Sequence, residues 1–206
     1  MAVSRVVLFN GGLKSTFLLA LAQREGIAIP CHIILTKEDK QEEYLERLTQ
    51  IASQLQTQTI CHVLLPEAPP LHEPLLHMLY LVLHSMPIAK ANYATCIYHG
   101  LSSYYKCTIT PVVDNFVKQL STLIELGQPM YDGVGGWLGQ VEFETPLRYL
   151  DRRRVIRLGN EYRVPWELTN SCQISHIRHC GICPGCERRK RAFREEGTID
   201  PTHYLA

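Results

Sequence analysis

The stretch Val6-Val7-Leu8-Phe9-Asn10-Gly11-Gly12-Leu13-Lys14-Ser15-Thr16 decides how the rest of the chain must be arranged. Its four leading apolar residues read as a buried parallel strand, because a strand covered on both faces has no polar side to alternate with. Asn10-Gly11-Gly12 ends the strand in a tight loop, and Ser15-Thr16 opens a helix expected over 17–23. A second strand is expected over 27–35 and a third over 59–65. Between them Tyr44, Leu45, Leu48, Ile51, Ala52 and Leu55 repeat with the spacing of an amphipathic helix. A β-α-β-α-β order implies a parallel sheet with right-handed crossovers.

The pattern continues less sharply. Residues 66–74 form a proline-rich loop, 75–85 read as a helix apolar all round and therefore buried, and 95–99 as a fourth strand. Phe116, Val117, Leu120, Leu123 and Ile124 have helical spacing, with Gly127 suited to a C-terminal cap. Residues 130–140 are glycine-rich, and 141–144 form a short strand. Asp151 can cap a helix that runs through Arg157 and is ended by Gly159. Residues 164–168 read as extended, and 187–196 as a terminal helix.

Near the other end sits Cys172-x7-Cys180-x2-Cys183-x2-Cys186. Thiolates are soft charged ligands, and four of them close a tetrahedral shell around Zn²⁺. Gly181, Pro184 and Gly185 let the backbone turn sharply enough for the last three to face one ion. An iron–sulfur cluster and four thiols without metal are the competing readings. His176 and His179 lie inside the loop and could replace a thiol, but with four cysteines at hand they are expected to face solvent or support the ligands. Cys31, Cys61, Cys96 and Cys107 are read as unpaired thiols, which together with a metal knuckle fits a reducing cytoplasm. No apolar stretch is long enough to span a membrane.

The chain has 206 residues and a formal net charge of +1. That near-balance hides an asymmetry: residues 148–194 carry 12 Lys or Arg against 4 Asp or Glu. A basic half suggests an anionic ligand, such as a nucleotide, pyrophosphate or nucleic acid, while solvated helix faces are the plainer explanation for any single Arg. The run 188–191 points all ways round a helix, so it is read as solvated. In the Gly11-Gly12 loop two glycines let backbone N–H groups approach an anion. Ser15 adds a hydroxyl and the helix N-terminus a positive potential. The loop lacks the Walker A spacing and the third glycine of a dinucleotide fingerprint, so an ordinary turn competes with a phosphate cradle.

The loop resembles the Ser-Gly-Gly-x-Asp-Ser loop of N-type ATP pyrophosphatases. The C-terminal part resembles one branch of them more specifically. Glu144-Thr145-Pro146-Leu147, Val155-Ile156-Arg157-Leu158-Gly159, Val164-Pro165-Trp166-Glu167-Leu168-Thr169-Asn170-Ser171-Cys172, His179-Cys180-Gly181-Ile182-Cys183-Pro184-Gly185-Cys186-Glu187-Arg188-Arg189, Ala192-Phe193 and Asp200-Pro201-Thr202 look like 7-cyano-7-deazaguanine synthases. The resemblance implies a Rossmann-like parallel sheet of the adenine nucleotide alpha hydrolase-like kind, spanning residues 1–170, with a zinc knuckle in a C-terminal segment, 171–206, packed on it. It also implies conversion of a 7-deazaguanine carboxylate, activated by adenylation with ATP, through attack of ammonia or another amine. ATP would lie against Phe9, Asn10, Gly11, Gly12, Leu13, Lys14, Ser15 and Thr16, with Lys14 and Ser15 acting on it.

The chain departs from the family where its first loop Ser is Asn10 and its loop Asp is Lys14. The family's aromatic-Asp-Tyr-Gly-Gln segment is replaced by Thr36-Lys37-Glu38-Asp39-Lys40-Gln41, and only Lys90 and Asn92 stand where a basic segment precedes the fourth strand. An Asp in the loop would help organise Mg²⁺, whereas Lys14 would meet a phosphate as a point charge. Asp114, Asp132 and Asp151 could supply a metal carboxylate instead, though each reads more naturally as a cap or turn residue. Trp137 and Trp166 could stack on a deazaguanine, with a core role favoured for Trp166. Three outcomes stay open: a rewired ligase, an enzyme that stops at the adenylate or amide, and a degenerate nucleotide- or deazaguanine-binding accessory protein, serving anti-phage defence or nucleic-acid modification. The expected ligands are Zn²⁺, ATP and, as a further candidate, Mg²⁺. The expected partners are a small 7-deazaguanine substrate, a protein or nucleic-acid acceptor, no membrane, and a second copy in a homodimer.

Overall fold

The computed structural model describes residues 3–34, 41–64, 74–100 and 141–206, with the isolated positions 115, 118, 119 and 122. Five strands form one sheet: β1 (Ser4–Leu8), β2 (Ile27–Ile34), β3 (Cys61–Leu64), β4 (Cys96–Tyr98) and β5 (Glu142–Glu144). Their order is β3-β2-β1-β4-β5, and every pair is parallel. Register places Val6 beside Ile29 on one flank and Ile97 on the other. The helices are α1 (Leu13–Glu25), α2 (Glu42–Gln54), α3 (Pro74–Ala91), α4 (Arg152–Glu161) and α5 (Pro184–Glu196).

Successive side chains of β1 point to opposite faces of the sheet, and both faces are covered. Val7 joins a core with Leu18, Leu19, Leu48, Ile51, Trp166 and Phe193. Val6 and Leu8 join a second core with Ile29, Val82, Met86, Ile97 and Phe143. Each fully buried aliphatic or aromatic side chain contributes roughly 1.5–3 kcal/mol. This explains why the apolar run 6–9 specifies a central strand.

Several elements differ from the sequence reading for identifiable reasons. α1 starts at Leu13, because Gly12 serves as its N-cap without a side-chain cap. α3 is not buried all round: Val82, Met86 and Ala89 face the sheet, while Leu83 is 53% exposed. It also continues past Pro87 to Ala91. Asp151 caps α4 as expected, its Oδ1 accepting the Arg154 N–H at 2.7 Å. Gly159 does not end that helix. A Cβ there would lie 2.1 Å from Trp166 Cζ2, so the glycine is a docking surface for the indole. Residues 166–168 form a 3₁₀ turn rather than an extended run. α5 begins at Pro184, inside the knuckle, where proline's missing N–H is tolerated. The loop over 66–73, the segment 36–40, the glycine-rich 130–140, and Cys107, Asp114, Asp132 and Trp137 lie outside the described residues. Positions 115, 118, 119 and 122 are helical.

Candidate functional site

The loop that follows β1 is tied down from both sides. Phe9 N–H extends the ladder by donating to Cys31 O at 2.9 Å, and Asn170 N–H donates to Gly11 O at 2.9 Å. The Tyr44 hydroxyl, from α2, donates to Asn10 O at 2.9 Å. Gly11 has φ +64, a left-handed conformation that L side chains rarely adopt. Within the loop, Asn10 Oδ1 accepts from Gly12 N–H at 3.1 Å and from the Ser15 hydroxyl at 2.7 Å. A carboxamide oxygen therefore sits on two of the donors that a phosphate oxygen would use.

This loop forms one wall of a cavity of about 500 Å³. The cavity opens at the C-terminal ends of β1, β2 and β4, where the strand order reverses on either side of β1. In open α/β sheets that switch point is the usual crevice for a ligand. Of the predicted loop residues, Phe9, Asn10, Gly12, Leu13, Lys14 and Ser15 line it. Gly11 faces Leu48 instead, and the Thr16 hydroxyl is buried in the fold without a hydrogen-bond partner.

Two further residues complete the wall, Arg152, which the sequence did not single out, and Arg188, which belongs to the run read as solvated. Arg152 stands in the first turn of α4, and Arg188 in the N-terminal part of α5; both line the same cavity as Lys14. The cations thus sit near three helix N-termini, where the macrodipole disfavours positive charge by roughly 0.3–1 kcal/mol each unless an anion is present. Burial lowers the Lys14 ammonium to a pKa of about 8, with help from the charges of Arg152 and Arg188. Among the described residues, no carboxylate lines the cavity. The arrangement is built to attract polyanions. The basic excess over 148–194 was the available signal for these arginines; only the fold shows which ones converge.

The four cysteine sulfurs lie within 4.8 Å of one another. Cys172 and Cys183 Sγ are 3.9 Å apart, and Cys180 and Cys186 Sγ are 4.0 Å apart. A tetrahedron with metal–sulfur bonds of ~2.3 Å has edges of about 3.8 Å, so the set fits a single ion. A cubane cluster would bind its four thiolates to four different metal atoms and hold them further apart. Backbone N–H groups of Gln173 and Cys186 donate to Cys183 Sγ, both at 3.4 Å. Burial pushes the Cys183 thiol up, but these donors outweigh it and hold it at about 6. Lys190 Nζ donates to Gly181 O at 2.7 Å and so clamps the knuckle turn. His179 contributes no ligand. It is buried, and its Nε2 accepts the Ser171 N–H at 3.0 Å. His176 packs edge-on against Tyr44, with ring centroids 5.1 Å apart.

Arg189 corrects the reading of 188–191 as solvated. It is 1% exposed and every arm is used. Nε donates to Asp200 Oδ1 at 3.0 Å, Nη1 to Thr169 Oγ1 at 2.6 Å, and Nη2 to Trp166 O at 2.8 Å. Burial raises the Asp200 carboxyl, but the Arg189 charge and hydrogen bonds from Tyr204 and Thr202 outweigh it and hold the group below its ordinary value. The ion pair bolts α5 onto the 3₁₀ turn and so fixes where Arg188 points. Trp166, with its Nε1–H bonded to Asn160 Oδ1 at 2.7 Å, is a core residue as expected.

The chain is similar to known proteins in sequence and in fold. A family described as "Queuosine biosynthesis protein QueC" matches residues 78–197, more than half the chain. A 7-cyano-7-deazaguanine synthase of Methanothrix thermoacetophila is 34% identical over 60% of this chain and 53% of its own length. One from Methanobrevibacter smithii is 33% identical over 43% of this chain and 35% of its own length. This chain thus spans about a third to a half of those two relatives. One from Solidesulfovibrio magneticus is 26% identical over 97% of this chain and 94% of its own length. Among solved structures, the U34-tRNA thiolase NcsA from Methanococcus maripaludis, with its [4Fe-4S] cluster, superposes with a TM-score of 0.52 at 10% identity, covering 95% of this chain and 65% of that one. A 4-thiouridine synthetase in complex with RNA and bound ATP gives 0.50 at 11% identity, over 95% of this chain and 50% of that one. At such identities these structures establish the fold alone, that of the adenine nucleotide alpha hydrolases. Among the described residues no helix is long and apolar enough to cross a membrane.

Proposed function

This chain belongs to the QueC family of queuosine biosynthesis proteins, and from that premise we propose that it is an ATP-dependent ligase acting on a 7-deazaguanine carboxylate. The observation that carries the reading is the cavity itself: the Gly12–Ser15 loop, Arg152 and Arg188 line one cavity at the switch point of the sheet. A carboxylate is a poor electrophile. Its oxygen attacks the α-phosphorus of ATP, the bond from that phosphorus to the bridging oxygen breaks, and pyrophosphate leaves. Ammonia or another amine then attacks the acyl carbon, loses a proton, and expels AMP. The protein's share is to hold the triphosphate in line and neutralise the pyrophosphate as its charge grows. Lys14 and Ser15 would act there, with the remaining loop residues from Phe9 to Thr16 shaping the cradle. Release of AMP and pyrophosphate from ATP, dependent on 7-carboxy-7-deazaguanine, is the expected result; ATP left intact with substrate present would refute it.

The four thiolates would hold Zn²⁺. With all four positions taken by protein, such an ion has no open site and serves structure rather than catalysis. A reducing compartment and a homodimer complete the proposal; light scattering of the purified chain checks the dimer.

One observation favours the second reading, a binding protein without turnover. Asn10 Oδ1 already holds the Gly12 and Ser15 donors. A loop satisfied by its own side chain has less to gain from the charge that develops on a leaving pyrophosphate. Nucleotide binding without AMP release, in the presence of the deazaguanine acid, would select this reading.

A further inference from the structure

Resting on the nucleotide reading above, we infer that the cavity takes a nucleotide's polyphosphate as the metal-free anion, with Lys14, Arg152 and Arg188 standing where a magnesium ion and its carboxylate would otherwise sit. A magnesium ion needs hard oxygen ligands, and a protein commonly supplies one or two carboxylates. Among the described residues the cavity wall supplies none. The two carboxylates next in sequence to the wall are engaged elsewhere: Asp151 spends its Oδ1 on capping α4, and Glu187 pairs with Lys190 at 3.5 Å. Position 14 holds an ammonium, which cannot ligate a metal while charged.

The electrostatics point the same way. Lys14, Arg152 and Arg188 line the cavity together with Arg189, whose charge is paired with Asp200, and the first three are close enough for Arg152 and Arg188 to lower the Lys14 pKa. A divalent cation entering the cavity meets that repulsion. Free ATP carries about four negative charges near neutral pH and its magnesium complex about two, so the cationic wall gains more from the free form. Arg188 is also held in place: it lies between Glu187, on a knuckle-anchored turn, and Arg189, whose three arms are bonded. Arg188 lines the cavity while its Nε is buried without a hydrogen-bond partner, so the guanidinium reaches the cavity through its other atoms. Fixed cations on rigid elements bind phosphate without the ordering that a mobile ion requires.

The test is calorimetric titration of the metal-loaded full chain with ATP, in magnesium-free buffer without chelator and in millimolar MgCl₂, at matched ionic strength. The expected result is binding about tenfold tighter without magnesium. Equal affinity, or binding that needs magnesium, overturns this inference and leaves the nucleotide reading standing. No binding in either buffer overturns both. Lys14→Asp should reverse the magnesium dependence. Should that variant fail to fold, Arg188→Gln serves instead: it should weaken binding more in magnesium-free buffer than with magnesium, and an equal loss in both buffers counts against the inference.

Discussion

The knuckle and the phosphate loop solve the problem of placing several polar groups around one guest in opposite ways. The knuckle draws its four ligands from fifteen consecutive positions, 172–186, and orients them with backbone N–H groups of the same turn. The cavity draws Lys14, Arg152 and Arg188 from three helices far apart in sequence, and depends on the sheet to bring them together. A local site is robust and all-or-none. A distributed site can be retuned one side chain at a time. The link between the two is α5, which starts in the knuckle and carries Arg188 to the cavity.

The largest effect should come from cutting the local site. Cys183→Ser removes a ligand and alters the side-chain cap of α5, since Cys183 Sγ accepts the Cys186 N–H. Structural zinc sites contribute on the order of 10 kcal/mol to the folded state. The variant should lose its metal in elemental analysis and expose 171–206 to proteolysis. Retained zinc at one per chain would break the assignment. If the link through α5 holds, ATP binding should fall with it although no loop residue has changed.

A smaller effect should follow from loosening the link alone. Arg189→Met leaves Asp200 half-buried without its partner, and breaking a buried pair in this way typically destabilises by roughly 3–5 kcal/mol. Denaturant unfolding measures this. A loss below about 1 kcal/mol would mean that α5 is held by packing and not by the ion pair.

Next comes the distributed site itself. Lys14→Ala should weaken ATP binding by roughly 1.5–3 kcal/mol, the range for a hydrogen bond to a charged group, with little change in melting temperature. Gly12→Val should act more severely on binding, because its Cβ would stand 3.0 Å from Asn10 Oδ1, at the mouth of the cradle. Unchanged affinity in both variants would dissolve the comparison, leaving the loop as an ordinary turn.

The smallest effect is that of pH. The Lys14 pKa is lowered to about 8 from 10.5, so the folded state releases its proton first as pH rises. The burden of a buried charge is fully present below pH 8 and is relieved between about 8 and 10.5, where the unfolded chain binds the extra proton. Anion binding has the opposite dependence, because it needs the charged form. Affinity for ATP should therefore decline as pH rises through 8, and Lys14→Ala should flatten that decline.

The same contrast explains what could be read from the chain alone. The apolar run 6–9, the glycine turn and the cysteine spacing each carry their meaning within a few residues, so the parallel sheet and the clustering of the four thiols were legible. Asp151 as a cap was legible for the same reason. Gly159 was misread as a helix stop because its partner, Trp166, reaches it through tertiary packing. Arg189 was misread as solvated because its acceptors, Trp166 O, Thr169 and Asp200, lie on both sides of it along the chain. Arg152 and Arg188 were hidden in a generally basic stretch. Composition registers their charge but not their convergence.

Synthesis on the ribosome gives the position of α5 a further meaning. The loop after β1 is made well before Ser171, Gln173, Gly185 and Arg188, which line the same cavity. A nascent chain therefore displays the loop on an open surface until α5 docks. Because that helix is capped by Cys183, one of the four clustered thiols, an ion captured there would couple metal binding to the closing of the cavity.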